Sequence, residues 1–596
     1  MQTNDRSIIE LMKSVDTGAA QLPDFQRGWV WDDYRIRALI ASITNNYPVG
    51  AAMFLEYGNP NIKFKNRVIE GVDAKNVTPS ELILDGQQRL TSVYSSMFSQ
   101  KAVQTRTDKG KDIQRFYYIN IEKALDPDTD RVDAIISVPE TRIVTSNFGR
   151  DIDLDLSSKD KEFEQKMFPM NIILDSTKSF MWQQDYLKHY NMDAQIVAQY
   201  MEFQGKIIIP VLQYTMPVIL LDKSTPKEAV CQVFENVNTG GVSLTVFELV
   251  TAIFAMDNFE LRKDWDDRKK NYLNGDLLSV ITATDFLTAC TLLSTYNKFK
   301  INNSGAVSCK KKDVLNLSLA EYQKYAEKLT NGFVESEKIL QEERIFSSKD
   351  LPYTTQFIPL AVLCTLLDED NQIKITNIKN KIKQWYWCGV FGEMYGGANE
   401  TRYVYDVVGV MEWIKDDTKL PRTIQESYFN PTRLLGLQSR LSAAYKGIMA
   451  LILKNHCKDF ISGREMDFVV YKAENIDIHH IFPRAYCEKQ NYNKTLWNSV
   501  VNKTPISYST NREIGGVSPN TYLTKIEGKG KVTSDDLNEY LKSHLIDVDC
   551  CRTDDFKQHI IKRAKLLLSA IENATGKTIS GKDSEEVIAS FGESLD

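Results

Sequence analysis

The spacing of apolar residues changes near residue 260, and this change limits which fold each part of the chain can adopt. Upstream, apolar residues at helical spacing over residues 36–43 alternate with short β-rich runs at residues 51–55 and 81–84. Downstream, long amphipathic patterns at residues 317–344 and 355–367 predict helices, with few strand signals. At 596 residues the chain is several times longer than a typical domain, so more than one core is expected.

Strand-like and turn-like segments return after residue 470. The sequence therefore predicts an α/β domain over residues 1–260, a helical linker and scaffold over residues 261–470, and a helix-rich C-terminal domain over residues 471–596. The expected fold class is α/β plus α. Two further strands are predicted at residues 207–211 and 218–221, surface loops at residues 101–111, 146–161 and 298–312, and a frayed end from residue 576.

Charge and cysteine usage exclude several classes of protein. Lys and Arg number 73 against 79 Asp and Glu, so the net charge of −6 excludes a uniformly basic coat but not a local basic patch. The nine cysteines form no Cys-x-x-Cys pair, which favours a reducing cytoplasm over a disulfide framework. The sequence shows no signal peptide pattern and no apolar run of membrane-spanning length, so we expect a cytoplasmic protein without a membrane partner.

The first candidate site follows the predicted strand at residues 81–84. Asp85-Gly86-Gln87-Gln88-Arg89 leads from this strand into a helical pattern, and Gly86 permits the tight turn. The free N–H groups at a helix start form a plausible phosphate seat, to which Arg89 would add a bidentate clamp and Asp85 a contact to a metal-bound water or a ribose hydroxyl. A purely structural Asp-Gly turn is the alternative.

Two other segments have an unusual density of polar recognition groups. Residues 22–31 hold Gln26 and Arg27 beside Trp29 and Trp31, and residues 234–244 hold Asn236 and Asn238 before a Gly-Gly pair. The alternative for the two tryptophans is that at least one is a core aromatic.

Together the three segments resemble the motifs of the N-terminal nucleotidase domain of GmrSD-type modification-dependent restriction enzymes, which is related to the ParB and sulfiredoxin fold. The resemblance implies a pocket for a nucleoside triphosphate with a divalent cation. The residues that it implies for this pocket are Gln26, Arg27, Asp85, Gly86, Gln87, Gln88, Arg89, Asn236 and Asn238. The P-loop sequence Gly-x-x-x-x-Gly-Lys-Ser/Thr does not occur, so any NTPase activity needs another source.

The second candidate site contains two of the six histidines. His479 and His480 end an apolar strand pattern, Asn502 lies in a second strand-like segment, and Asn511 follows nine residues later where a helix could start. A histidine pair of this kind is more often structural or weakly metal-binding. The order His-His, Asn, Asn nevertheless resembles the ββα-metal fold of the HNH nucleases, in the wording found in the C-terminal domain of GmrSD-type enzymes. Many HNH nucleases have Asp at the position of His479.

The resemblance implies a role for each side chain in phosphodiester hydrolysis. His480 would be the general base, because imidazole titrates near neutral pH. His479 and Asn511 would hold one divalent ion, Mg²⁺ or Mn²⁺, at the scissile phosphate. Asn502 would brace the loop that carries the base, and Arg512 is a candidate phosphate contact, although a solvated arginine is an equal alternative.

Local charge supports a nucleic-acid partner for this segment. Residues 478–531 contain eight Lys and Arg against three Glu, a net charge of +5 within an acidic chain. The sequence thus predicts an NTP-regulated, modification-dependent (type IV) DNA endonuclease that acts on modified phage DNA. The alternatives are a nucleotide-gated sensor whose HNH domain only nicks DNA in abortive infection, and a degenerate homologue. A homodimer is one way for a single site per chain to cut both strands.

Overall fold

The structure, a computed structural model, describes residues 2–24, 26, 28–59, 64–107, 110–146, 150–226, 229–230, 245–302, 305–369, 371–397, 399–473, 476–530 and 532–596. It contains two compact units, Met1–Leu261 and Arg262–Asp596. The predicted boundary near residue 470 lies inside the second unit and stays a prediction. Within the described residues, no helix combines the length and the apolar character needed to cross a membrane.

The first unit contains twelve described strands. They are β1 Gln2–Ser7, β2 Ala20–Pro23, β3 Ala52–Glu56, β4 Asn66–Arg67, β5 Glu81–Asp85, β6 Val103–Arg106, β7 Asp112–Asn120, β8 Ile135–Pro139, β9 Ile143–Ser146, β10 Asp151–Asp155, β11 Met167–Pro169 and β12 Thr215–Leu221. Six of them form a mixed sheet in the order β1-β12-β3-β5-β2-β4, with β12 parallel to β3 and β5 parallel to β2. A second sheet has the order β11-β7-β6, with β8 also paired to β7.

Helices pack against these sheets. They are α1 Ile8–Asp16, α2 Asp33–Thr44, α3 Gln87–Val93, α4 Ile121–Leu125, α5 Arg131–Ala134, α6 Lys159–Glu164, α7 Ser176–His189, α8 Ala194–Phe203, α9 Ile209–Leu212 and α10 Val246–Ala255. In α1 the buried residues Ile8, Leu11, Met12 and Val15 repeat at helical spacing, and the side chain of Ser7 caps the first turn. The strands predicted at residues 81–84 and 218–221 are confirmed, and the mixed α/β class agrees with the prediction.

The strand predicted at residues 207–211 is wrong. The chain forms a π-helical turn at Gln204–Ile208 and continues as α9. The residues Ile207, Ile208 and Val211 are buried, and Pro210 is the second residue of α9, directly after the π-helical turn. A short apolar run carries no periodicity that separates the two structures.

Two predicted surface loops contain strands, and the predicted frayed end is ordered. The polar stretch at residues 101–111 includes β6, and the stretch at 146–161 includes β10, which pairs with β9. Pairing supplies the backbone hydrogen bonds while polar side chains stay in water, so composition alone suggested loops. Near the C-terminus a helix over Glu585–Phe591 buries Val587 and Phe591.

The described residues of the second unit form helices and one pair of strands. Its helices are α11 Leu261–Asn271, α12 Ala283–Asn302, α13 Lys311–Leu315, α14 Leu319–Glu342, α15 Phe357–Asp368, α16 Thr376–Phe391, α17 Glu400–Lys415, α18 Arg422–Glu426, α19 Arg433–Gly436, α20 Ala443–Lys454, α21 Phe468–Ala473, α22 Arg484–Lys489, α23 Lys494–Trp497, α24 Tyr508–Ile514, α25 Pro519–Gly528, α26 Ser534–Ser543, α27 Val548–Arg552, α28 Phe556–Thr575 and α29 Glu585–Phe591. The strands are β13 Ile476–His480 and β14 Lys503–Ser507. The loop predicted at residues 298–312 overlaps two helices, because its ends, residues 298–302 and 311–312, lie in α12 and α13.

Helix α28 supports the β13–β14 pair through a buried cation. The side chain of Arg563 is fully buried and donates hydrogen bonds to the carbonyl oxygens of His544, at 2.5 Å, and Lys503, at 3.1 Å. Burial lowers the pKa of this guanidinium to about 9. One turn earlier, His559 is equally buried against Phe482, and neither of its ring nitrogens has a hydrogen-bond partner among the described residues.

His559 makes the stability of this unit depend on pH. Burial lowers its pKa from 6.5 to about 3, so below pH 6.5 the unfolded chain binds a proton that the folded chain does not bind. This histidine therefore stabilises the fold above pH 6.5, and the contribution is lost as the pH falls toward 3. Between pH 7 and pH 5 this histidine should lower the unfolding free energy of the wild type by about 2 kcal/mol, and His559→Leu should not show this decrease. Measuring the free energy of unfolding of both proteins at the two pH values tests this.

The matched control is Ile560→Leu, because Ile560 is buried next to His559 on α28 and binds no proton. We expect the control to keep the wild-type dependence on pH. An unchanged dependence in His559→Leu would contradict the burial argument.

Candidate functional site

The second candidate site is built on the antiparallel pair β13–β14 and the helix that follows it. His479 lies opposite Thr504 and His480 opposite Lys503, and α24 begins directly after β14. Successive side chains of a strand point to opposite faces, so the two histidines serve different sides of the pair. Over the segment that sequence reasoning singled out, the chain runs from β13 through the short helices α22 and α23 to β14 and then α24.

His479 faces α24 and joins a short polar chain. Its Nδ1 lies 2.8 Å from Asn511 Oδ1, and Asn511 Nδ2 donates to Asp477 Oδ2 at 2.6 Å. Burial lowers the pKa of His479 to about 4, although the hydrogen bond to Asn511 acts in the opposite direction, so the ring is neutral near pH 7. Its Nε2 is buried without a hydrogen-bond partner among the described residues. Asp477 is a member of this cluster that sequence reasoning missed.

His479 and Asn511 carry the ligand types that suit one small divalent ion, a neutral imidazole and an amide oxygen. Because Asn511 Nδ2 is committed to Asp477, His479 Nδ1 donates to Asn511 Oδ1 at 2.8 Å, and the free lone pair of His479 lies on the buried Nε2. The described residues contain no cluster of three His, Cys, Asp or Glu side chains. The metal-binding roles of both residues stay predictions.

His480 occupies the opposite face of the pair and is held by Asn498. Its Nε2 lies 3.3 Å from Asn498 Oδ1, while Asn498 Nδ2 donates to Gln438 Oε1 at 3.3 Å. Because the amide nitrogen is committed to Gln438, the amide oxygen faces the ring, so Nε2 carries the proton and Nδ1 holds the free lone pair. Burial lowers the pKa of His480, and the positive charges of Lys503 and Arg484 lower it further.

Asn502 holds the residues that follow His480. Its side chain is fully buried, its Oδ1 accepts from Phe482 N, and its Nδ2 donates to the carbonyl oxygens of Phe482 and Trp497, each at 2.9 Å. Asn502 ends a 3₁₀ turn just before β14, so it lies at the edge of the predicted strand. Arg512 is exposed on α24 with its guanidinium 5.6 Å from the ring of Tyr508. Its role as a phosphate contact stays a prediction.

In the first candidate site, the polar side chains form hydrogen bonds and an ion pair within their own unit. Arg89 donates to the carbonyl oxygens of Val49, at 2.7 Å, and Ala51, at 2.8 Å, and forms an ion pair with Asp85 at 3.0 Å. Gly86 turns the chain with φ of 91°, and a Cβ there would lie 3.2 Å from Ala52 Cβ. These contacts fix the start of α3 against the loop before β3.

The glutamines of the motif also bond to the backbone of their own unit. Gln26 donates to the carbonyl oxygens of Ile83 and Leu84, and Gln88 accepts from Val30 N at 3.0 Å. Gln87 is buried at the start of α3. Trp29 and Trp31 both pack, partly buried, against the core. Arg27, Asn236 and Asn238, which sequence reasoning assigned to the same pocket, lie outside the described residues.

The contacts of Arg89 predict a large loss of stability on its removal. In Arg89→Ala the two carbonyl oxygens and the Asp85 carboxylate lose a charged donor, so we expect the first unit to lose about 3 kcal/mol. Chemical denaturation followed by circular dichroism measures this loss. Arg35→Ala is the matched control, because Arg35 is mostly exposed on α2 and its removal should cost no more than about 0.5 kcal/mol. Equal midpoints for the two variants would contradict the prediction.

Comparison with known proteins defines the class to which the first unit is similar. Residues 8–255 match the family described as GmrSD restriction endonuclease, N-terminal domain. The match supports a GmrSD-type restriction family, and such a family suggests a nuclease and implies DNA as a partner.

A relative extends the similarity beyond this domain. The chain is 27% identical over 615 aligned positions to uncharacterized protein MJ0686 of Methanocaldococcus jannaschii, and the alignment covers 95% of this chain and 98% of that protein. The printed name assigns no activity, so the assignment of chemistry to residues 471–596 rests on their own sequence and geometry.

Proposed function

We propose that this protein is a type IV, modification-dependent DNA endonuclease of the GmrSD kind, with a ParB/sulfiredoxin-like N-terminal domain and a phosphodiesterase site of the HNH ββα-metal type on β13, β14 and α24. The observation that carries the proposal is the placement of two neutral histidines on opposite faces of one strand pair. His479 lies beside Asn511, and His480 keeps a free Nδ1 lone pair. The match of residues 8–255 to a restriction endonuclease domain supplies the class of substrate.

His480 is the group that moves a proton in this proposal. Its Nδ1 accepts the proton of the attacking water, while Asn498 holds the Nε2–H and so fixes the ring orientation. Asn502 keeps the backbone at Phe482 in place, which limits movement of the strand end that carries His480. A Mg²⁺ or Mn²⁺ ion held by His479 and Asn511 would supply a Lewis acid for the phosphate charge. Arg512 would contact a neighbouring phosphate.

We further propose that the first unit binds a nucleoside triphosphate that regulates cleavage. The start of α3 has no side-chain cap, and Asp85 keeps a partly exposed carboxylate beside it. Since Arg89 is committed to backbone carbonyl oxygens, groups other than this guanidinium would neutralise the charge of the phosphate. Asp85→Asn keeps an acceptor for Arg89 and is therefore the variant that tests nucleotide coupling with the least effect on the fold.

One experiment tests substrate, ion and nucleotide together. The purified full chain is incubated with unmodified, hydroxymethylated, glucosylated and phosphorothioated DNA, with Mg²⁺, Mn²⁺ or EDTA, and with or without each NTP. We expect cleavage of at least one modified DNA that requires the ion and changes with an NTP. Cleavage in EDTA contradicts the metal role, and equal cleavage of all DNAs contradicts modification dependence. Products nicked in one strand would support the sensor alternative.

One active site per chain hydrolyses one phosphodiester bond at a time. A double-strand break therefore requires two chains or two successive events, and we propose a homodimer as the arrangement that cuts both strands. Light scattering of the protein on cleavable DNA distinguishes one bound chain from two.

A further inference from the structure

A cavity of about 610 Å³ lies beside the face of β13 that carries His480. Ile476 and Ile478 of β13 and Pro505 of β14 form one wall. Ile478 pairs with Pro505, and His480, two residues further on, pairs with Lys503. Because side chains alternate along a strand, His480 points to the same side as this wall, about 7 Å from Ile478. The cavity therefore adjoins the proposed site of phosphodiester hydrolysis.

The charge of the cavity favours a phosphate-bearing ligand. Four of its described lining residues are basic and one is acidic, namely Arg344, Lys349, Arg440 and Lys446 against Asp350. Arg344 and Arg440 form ion pairs with Glu465 and Asp477, so Lys349 and Lys446 are the cations left for a phosphate. Lys446 is partly buried and its Nζ donates to the carbonyl oxygen of Leu351 at 3.0 Å. The floor is apolar and aromatic, with Met449, Leu453 and Tyr445. Cations at the rim over an apolar floor suit the phosphate and base of one nucleotide, and the volume is within the range of small-ligand sites.

An exposed leucine stands at the rim of the same cavity. Leu441 is 89% exposed, beside Arg440, whose guanidinium forms an ion pair with Asp477 at 3.0 Å. Apolar side chains next to a basic residue are used by DNA-binding proteins as wedges that enter the stack when a base leaves it. Leu441 is therefore the apolar side chain at this rim that is placed to act as such a wedge.

We propose that this cavity receives a nucleotide unstacked from the DNA duplex next to the bond cleaved at His480, with Leu441 filling the space that the base leaves. The proposal deepens the proposed function and rests on it. Lys446 and Lys349 would neutralise the phosphate of the extruded nucleotide, and its base would lie over Tyr445 and Met449. A pocket of this kind would place the reading of the base in the second unit, adjacent to the hydrolytic residues.

The test uses the full chain and a DNA duplex that it cleaves. Once the cut is mapped, 2-aminopurine replaces single bases at successive positions around it, and fluorescence is measured with EDTA present. We expect one position within a few nucleotides of the cut to become strongly fluorescent on binding. Leu441→Ala should lose this signal, and Lys446→Met should bind the duplex about tenfold more weakly. Ile301→Ala, at another highly exposed apolar residue, is the matched control and should match the wild type.

The outcomes separate this proposal from the proposed function. Cleavage without a fluorescent position, or a signal unchanged in both variants, overturns the pocket and leaves the nuclease standing. Absence of cleavage on every DNA overturns both. If Lys446→Met weakens binding of adenosine 5′-monophosphate but not of the duplex, the cavity holds a free nucleotide and the DNA proposal is overturned. Because Leu441 is exposed, Leu441→Ala should fold normally even if Lys446→Met does not.

Discussion

Replacing His480 with alanine is expected to lower the rate of DNA cleavage by about 10³-fold, within the range observed for removal of a general base. In the proposed mechanism, the Nδ1 lone pair of this ring accepts the proton of the attacking water. The ring contributes little to the fold, because its contacts are one hydrogen bond of 3.3 Å and an edge-on contact with Trp497. The measurement is single-turnover cleavage of a modified DNA with saturating Mg²⁺ or Mn²⁺.

The control for this variant is His456→Ala. His456 belongs to the same unit and is largely exposed, with its Nδ1 2.8 Å from Glu465. We expect wild-type cleavage from the control and unchanged DNA binding from both variants. If His480→Ala cleaves at the wild-type rate, the base lies elsewhere and the proposed mechanism fails.

The second large effect is expected from Asn502→Ala. The variant removes the amide that bonds to Phe482 N and to the carbonyl oxygens of Phe482 and Trp497 in a buried place, which should cost about 3 kcal/mol of unfolding free energy. Displacement of the strand end should also lower cleavage by about 10²-fold, since small misplacements of a catalytic group have effects of this size. Urea denaturation and cleavage kinetics measure the two losses separately.

Two further variants distinguish bracing from a general loss of an amide. Asn502→Asp has nearly the same shape, but a carboxylate cannot donate to the two carbonyl oxygens, so it should be no more stable than the alanine variant. Asn377→Ala removes an exposed amide from the first turn of α16 and should change stability by no more than about 0.5 kcal/mol. Wild-type stability in Asn502→Asp would argue against the bracing role.

Local patterns in the sequence predicted the elements that carry both candidate sites. The strand before Asp85 and the helix after Gly86 follow from a short apolar run, a tight-turn residue and helical spacing. The same reasoning failed at residues 207–211, where an apolar run forms a helix because the packing of Ile207 and Val211, rather than local preference, decides the structure.

Partners distant in sequence could not be predicted. No sequence pattern singled out Asn498, yet it orients His480 from 18 residues away, and Gln438 contacts Asn498 from 60 residues away. Arg89 was expected to face a phosphate, but the carbonyl oxygens of Val49 and Ala51 lie within its reach. Such contacts depend on how the chain folds back on itself, so the local spacing of residues does not predict them.

The hydrogen bonds and the ion pair of Arg89 affect how infection experiments with this protein would be interpreted. A host that produces Arg89→Ala would contain fewer folded molecules, since a loss of a few kcal/mol exposes a protein to cellular proteases. Lower protection against phage would then follow from abundance, as it would for any unstable variant. Each plaque count should therefore be accompanied by an immunoblot of the protein, with Asp85→Asn as a variant that affects the fold less. The comparison distinguishes a lower amount of protein from a lower activity per molecule.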